Sequence, residues 1–396
     1  MTGQPREILF LAHRVPYPPN RGDKIRSWHV LRALAKTAPV HVCALWDDAR
    51  DLEYRDVLES VAASVSLFER SPSKGWAVAR ALGTGRPASV ELYRSAALHD
   101  AVDRILSERP IHAIYAFSNQ MAQYLPTGEG RPRIVMDFVD MDSAKFAAYG
   151  GVANGEEARR LLAWEKAVAR NVDVSLFVSE AEAALFAAQP GVDVEKVRFL
   201  ENGIDLETYD PAQGFAPVSK RGGPMILFTG QMDYRPNVEA VAEFATGAMP
   251  QIRSGIGNAR FHIVGRNPTR EVHALAMISG VDVEGEVPDM RAWLAAADVV
   301  VAPLLLARGI QNKVLEAMAM AKPVVASSAA AEGIDAEPGE ELVIADGPAA
   351  QAEAVKTLLR NPDMADAIGA AARRKVEARY SWGSRLALLP ELLGLA

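Results

Sequence analysis

Cysteine is nearly absent from this sequence: Cys43 is the single one in 396 residues. That count excludes a disulfide framework and a cysteine-built metal site. Cys43 itself lies inside the apolar run Val40 to Leu45, which marks it as a core residue. Long hydrophobic runs are also missing, none approaching the ~18 residues that a membrane span needs. Residues Met1 to Glu7 are polar and lead straight into a strand pattern, without the apolar segment of a secretory signal, so the expected location is the cytoplasm. Positive charge is not in excess: 43 Lys and Arg against 50 Asp and Glu leave a net charge of −7. A nucleic-acid partner is therefore not expected, since phosphate contacts require a basic footprint, whereas a small anionic ligand needs only local charge. The G-x-G-x-x-G fingerprint is absent from the first strand-to-helix turn of either half, which argues against a nicotinamide-dependent dehydrogenase.

What the chain does contain is ordinary globular composition, 49% hydrophobic and 23% charged, at a length that calls for two domains. Short apolar runs rich in β-branched residues alternate with longer helical patterns, the signature of parallel βαβ units. A first series runs Ile8 to Ala12, Val40 to Leu45, Ala113 to Phe117, Arg133 to Phe138 and Val174 to Val178. A second follows the Pro-, Gly- and Lys-rich stretch Pro211 to Pro224: Met225 to Thr229, Phe261 to Val264, Val281 to Glu284, Val299 to Ala302, Val324 to Ala326 and Leu342 to Ile344. The expected fold class is α/β with two Rossmann-like domains, over residues 1–205 and 206–379, and an amphipathic helix at 380–396 packing back on the first. Open α/β sheets bind ligands at the carboxyl ends of their strands, so the site is expected in a cleft between the two domains.

The segment Gly309 to Ser327, GIQNKVLEAMAMAKPVVAS, carries the chemistry. Gly309, Ile310 and Gln311 would present backbone N–H groups at a helix N-terminus, which suits a diphosphate. Lys313, preceded by Asn312, would bring a cation against a leaving nucleoside diphosphate, and Glu316 offers the lone pairs to accept both hydroxyls of a ribose. In the other half, Asn20-Arg21-Gly22-Asp23 lies between the first strand and a helix, where Gly22 would allow the backbone close to a donor.

Together these segments resemble glycosyltransferase family 4, with the GT-B fold. Asn202-Gly203-Ile204-Asp205 is similar to that family's interdomain junction, Gly230 to the glycine after the second domain's first strand, and Gly265-Arg266 to its next phosphate-side loop. Residues His13 to Leu34 are similar to the sugar transferases of PEP-CTERM/exosortase exopolysaccharide systems. The resemblance implies a metal-independent transfer, with retention of configuration and no cofactor, from a UDP- or GDP-sugar to a glycan or polyprenyl-diphosphate-linked acceptor. The first domain would then take the acceptor and the second the donor. Two departures stand out. Arg308 occupies the position of the family's first glutamate, and the loop Gly230 to Asn237 offers Arg235 alone where an Arg/Lys pair is usual, with Arg266 and Arg308 left to compensate.

A base is harder to name. Asp137, Asp140 and Asp142 cluster at the end of one strand, and Asp140, followed by His13, is the candidate to deprotonate an acceptor. Asp140-Met141-Asp142 also has the Asp-x-Asp form that holds Mg²⁺ in single-sheet transferases, but the second strand series argues against that fold, so no metal is expected. Six cations between Arg14 and Lys36, and the Lys74 to Leu82 stretch with Trp76 and Val78, would suit peripheral contact with an anionic membrane. A GT-B nucleotide-sugar epimerase and a non-catalytic nucleotide-sugar-binding scaffold are the alternative functions.

Overall fold

The structure is a computed structural model that describes residues 6–307 and 310–395. The chain divides into two compact units, one running to Asn202 and taking up the tail from Arg385, the other Gly203–Ser384.

The first unit holds seven strands: β1 (Glu7–Ala12), β2 (Val40–Trp46), β3 (Ser64–Glu69), β4 (Ile111–Phe117), β5 (Arg133–Val139), β6 (Val174–Phe177) and β7 (Val197–Phe199). They form one parallel sheet in the order β3-β2-β1-β4-β5-β6-β7. A strand covered on both faces needs apolar residues at every position rather than at alternate ones. In β1, Ile8, Leu9, Phe10, Leu11 and Ala12 are accordingly all buried. The sequence reading missed β3 and β7, the two edge strands. β3 reads SVSLFE and is half-buried, and β7 is three residues long.

The second unit has six strands: β8 (Met225–Thr229), β9 (Arg260–Val264), β10 (Val281–Gly285), β11 (Val299–Ala302), β12 (Val324–Ala326) and β13 (Val343–Ile344). Their order is β10-β9-β8-β11-β12-β13, again all parallel. In each unit the order reverses beside the first strand, between β1 and β4 and between β8 and β11. A reversal of this kind opens a crevice at the carboxyl ends of the two strands.

Two expectations need correction. Residues 380–396 are not one helix: Trp382–Arg385 and Leu389–Leu392 are separate short turns. The latter is held to the first unit by carbonyls, with Arg133 Nε donating to Leu392 O at 2.7 Å and Arg6 to Gly394 O at 3.3 Å. Nor is the basic helix Gly22–Ala35 a charged surface. Lys24 is buried and donates to Asp51 at 2.7 Å, Arg26 is buried against Asp137 at 2.8 Å, and Arg14 and Arg21 both pair with Asp23. Lys24 and Arg26 are thus neutralised inside the fold, which leaves Arg21 and Lys36 at the two ends of the helix exposed. Among the described residues no helix is long and apolar enough to cross a membrane.

The second unit begins and ends at one place. The Ile204 amide donates to Tyr380 O at 2.7 Å, and Ile204 bridges Ser381 in parallel. Gly203 lies so close to this crossing that a Cβ there would sit 2.5 Å from Trp382 Cα.

Candidate functional site

In the second unit, Gly230 follows β8 and Gly265 follows β9. Gly265 has φ +155°, and a Cβ on it would fall 1.6 Å from Gly230 O. A Cβ on Gly230 would meet Asn237 Nδ2 at 2.8 Å and Lys313 Nζ at 3.1 Å. Gly265 therefore needs glycine for space, the two backbones pass in direct contact, and a Cβ on Gly230 would displace the ends of the Asn237 and Lys313 side chains. Together with Gln231, Arg266, Glu286 and Pro288 they line a hollow at the carboxyl end of the sheet.

The Asn312–Ala319 helix starts after Gln311, whose extended backbone (φ −89°, ψ 101°) sets the N-cap without a side-chain cap. Its Val314, Leu315, Ala317 and Met318 are buried in the core. Lys313 and Glu316, three residues apart, share another face. The Lys313 ammonium donates to Asn237 Oδ1 at 2.5 Å and stands 4.4 Å from the centre of the Phe228 ring. Burial pulls its pKa down to about 8, against the opposing pull of Glu316. The Glu316 carboxyl is raised, first by burial, while the Tyr209 hydroxyl and Lys313 favour its charged form. Tyr209 is held in turn through its carbonyl by Arg373, which also donates to Ala319 O at the end of the same helix at 2.6 Å. The result is one cation and one carboxylate, both poorly solvated, at a helix N-terminus beside a glycine-walled hollow.

Other residues singled out in the sequence fall differently. Ile310 is half-buried against the core, and Asn312 is exposed at the helix start. Arg308 and Gly309 lie outside the described residues. Arg266 is mostly exposed, with Nε 3.5 Å from Glu286. Arg235 is turned to solvent and pairs with Glu239 one turn along its own helix at 2.7 Å; the structure does not bring it to Lys313. Gly22 is exposed at the start of its helix, and a Cβ there would meet nothing within 4 Å, so neither space nor φ requires glycine.

In the first unit, His13 follows β1. It stacks on Phe117 at 5.7 Å and meets Tyr93 edge-on, with Nε2 3.4 Å from Asp23 Oδ2. Burial lowers the His13 pKa, with Asp23 pulling the other way, so the ring is neutral at pH 7. Burial alone would raise Asp23, yet hydrogen bonds from His13 and Arg14 hold its carboxyl well below the usual range. Asp137 is buried, accepting from Arg26 and from the Tyr115 hydroxyl at 2.5 Å. Asp140 pairs with Lys145, whose ammonium also lies 4.0 Å from Asp142, so one lysine serves both carboxylates of the Asp-x-Asp triplet. Ser118 and Val139, just past and at the ends of β4 and β5, take φ +79° and +70° without being glycine. Such backbone is costly for a β-branched residue and is stored where the surroundings over-determine it.

Asn237 and Tyr209 were missed at the sequence level. Asn237 gave a signal only as the asparagine after Arg235-Pro236 at a helix start, which reads equally as a turn residue. Elsewhere in the second unit His262, Asp282 and Glu284 come within 4.8 Å of one another. Arg260 already binds Asp282 with two bonds of 2.6 Å, and Arg221 reaches both carboxylates, so the group is an ion-pair network.

Two parallel sheets, each with its reversal beside the first strand, define the GT-B architecture of glycosyltransferases. The UDP complex of HepE from Anabaena has this fold, matching 98% of this chain and 100% of its own at a TM-score of 0.61 and 17% identity. Residues 223–361, which include the hollow and the Asn312–Ala319 helix, match the family described as glycosyl transferases group 1. A D-inositol 3-phosphate glycosyltransferase of Kineococcus radiotolerans is 30% identical over 302 residues, 69% of this chain and 68% of the relative. The chain belongs to the group 1 glycosyl transferases. A phosphatidyl-myo-inositol mannosyltransferase of Propionibacterium freudenreichii is 29% identical over 159 residues, and there the match spans 40% of this chain and only 39% of that relative.

Proposed function

We propose that this protein transfers a glycosyl group from a UDP- or GDP-sugar to a hydroxyl of a glycan or lipid-linked acceptor. The bond from the anomeric carbon to the diphosphate oxygen breaks, and a bond from that carbon to the acceptor oxygen forms. The acceptor's proton passes to the departing diphosphate, which makes a dedicated protein base dispensable and suits retention of configuration. One observation carries the reading: Lys313 and Glu316 stand on one face at the start of the Asn312–Ala319 helix, beside the Gly230–Gly265 contact. Lys313 would neutralise the leaving diphosphate, the helix N-terminus would donate to it, and Glu316 would accept from the ribose hydroxyls. The inositol lipids and inositol phosphate named for the relatives support a phosphorylated or lipid-linked polyol as acceptor. The segment His13 to Leu34 supports a place in exopolysaccharide assembly. We read the reaction as independent of metal, because the paired carboxylates Asp140 and Asp142 already share Lys145.

Thermal-shift titration with UDP, GDP and ADP tests the donor, since a ligand of the native state raises the melting temperature by mass action. Stabilisation by one nucleotide identifies the base; none at millimolar concentration sinks the reading. In calorimetry with the stabilising nucleotide, Glu316→Ala is expected to lose roughly 1 to 3 kcal/mol of binding, the value of a hydrogen bond to a charged group. An unchanged affinity in the folded variant removes Glu316 from the site.

A further inference from the structure

A lysine that must present its ammonium to a diphosphate has four flexible bonds to order, and burying it opposes its charge. Something has to hold it in place. Among the described residues, the hydrogen-bond acceptor of Lys313 Nζ is Asn237 Oδ1, at 2.5 Å. Asn237 is itself buried and is fixed by a second bond, Nδ2 donating to Gln231 O at 2.9 Å, in the turn that follows Gly230. An asparagine amide can do both because its oxygen accepts while its nitrogen donates, and here each atom faces the partner of the right sense. The Phe228 ring closes another side of the ammonium, at a distance where a π face favours a cation. One of the three N–H bonds is taken by Asn237 and one side meets the ring, which leaves donor capacity for a ligand. The bare Gly230 is what makes room, since a Cβ there would press on both Asn237 Nδ2 and Lys313 Nζ.

We propose that Asn237 is the positioning residue for Lys313, its amide oxygen fixing the ammonium toward the donor diphosphate and its amide nitrogen tying that ammonium to the turn after β8. This rests on the donor reading above. It adds a residue 76 positions away from Lys313, on the Arg235–Glu243 helix. Among the described residues the charged groups around Lys313 are few. Glu316 lies on its own helix, with Tyr209 set against that carboxylate, and the Arg235–Glu239 pair of the Asn237 helix is engaged with itself. Asn237 is therefore the group whose replacement most directly alters the ammonium's surroundings.

The test compares Asn237→Asp with Asn237→Ala. Both lose the bond to Gln231, so the two differ in what faces Lys313, a carboxylate or nothing. Lys313 titration is followed by NMR in protein carrying ¹³C-labelled lysine, assigned with Lys313→Arg, and UDP and GDP affinities are measured by calorimetry from pH 6 to 9.5. Wild type should titrate near 8. Asn237→Asp should move that titration upward and Asn237→Ala downward, with the alkaline fall in nucleotide affinity following each. At pH 7 the alanine variant should bind about tenfold more weakly, as befits a lost hydrogen bond to a charged group. A merely structural asparagine would lower stability in both variants without moving the two titrations in opposite directions, and that outcome overturns the proposal. Opposite titration shifts with no nucleotide bound by wild type would instead leave the positioning intact and sink the donor reading.

Discussion

The carboxyl ends of the two sheets are built on opposite plans. In the first unit ion pairs dominate: Asp23 takes Arg14, Arg21 and a contact from His13, Asp137 takes Arg26, and Asp140 takes Lys145, although burial still raises Asp142 and, to about 7, Glu165. In the second unit β8 and β9 run into glycine, and the two ionisable groups of the Asn312–Ala319 helix keep perturbed protonation because burial outweighs their few partners among the described residues. A network of ion pairs gives a rigid wall, since most of its charges are already compensated. A partly buried lysine and glutamate with few partners are the kind of groups whose protonation a bound anion would change. The contrast explains why the residues of the Asn312–Ala319 helix stand out from the sequence as a motif, while the first-unit residues look like scattered charges.

The largest effect should come from opening the ion-pair network. Arg26→Ala leaves Asp137 buried beside Tyr115 without its cation and is expected to cost about 3 to 5 kcal/mol of stability, the usual consequence of halving a buried pair. Urea denaturation followed by tryptophan fluorescence measures it, and a loss under 1 kcal/mol would mean that the pair is dispensable. On the open side, Gly265→Ala forces a Cβ into Gly230 O and should cost roughly 1 to 3 kcal/mol or more of stability as well as nucleotide binding. Wild-type affinity in that variant would show that the two glycines do not shape the site. A graded effect follows from pH. The Lys313 charge is lost as pH rises through about 8, so nucleoside diphosphate affinity should be flat below neutrality and decline by at most about tenfold per pH unit above that point. A profile flat to pH 9.5 would detach the lysine from binding. The smallest effect belongs to Arg235→Ala, where an exposed in-helix pair is removed. No measurable change in melting temperature or nucleotide affinity is expected, and a clear loss of affinity would return Arg235 to the donor site.

Much of this was legible beforehand for one physical reason. Strands buried on both faces must be continuous apolar runs, and β8, β11 and β12 lie where those runs lie, residue for residue. Edge strands such as β3 carry serine and glutamate among the apolar residues and lose that signature. At the site, Lys313 and Glu316 are readable as a pair because both lie on one helix, three residues apart. Asn237 is not, since its meaning depends on a contact across 76 residues. Arg26 and Lys24 were misread as a solvated basic face for the same cause: their partners Asp137 and Asp51 are 111 and 27 residues away, and no local pattern reports a distant carboxylate. Gly22 had the right neighbourhood, a strand-to-helix turn, but its geometry makes no demand for glycine.

The zipped crossing of Ile204 with Tyr380 and Ser381 has a consequence for the order of synthesis. Because the second unit enters and leaves at one point, it is an insertion, and about 180 residues separate Asn202 from the tail that completes the first unit. At ribosomal speeds that delay is on the order of ten seconds or more, long enough for the inserted unit to emerge and fold while the first still waits for Leu389 and Leu393 to cover its surface. The unit that begins first is the one that finishes last.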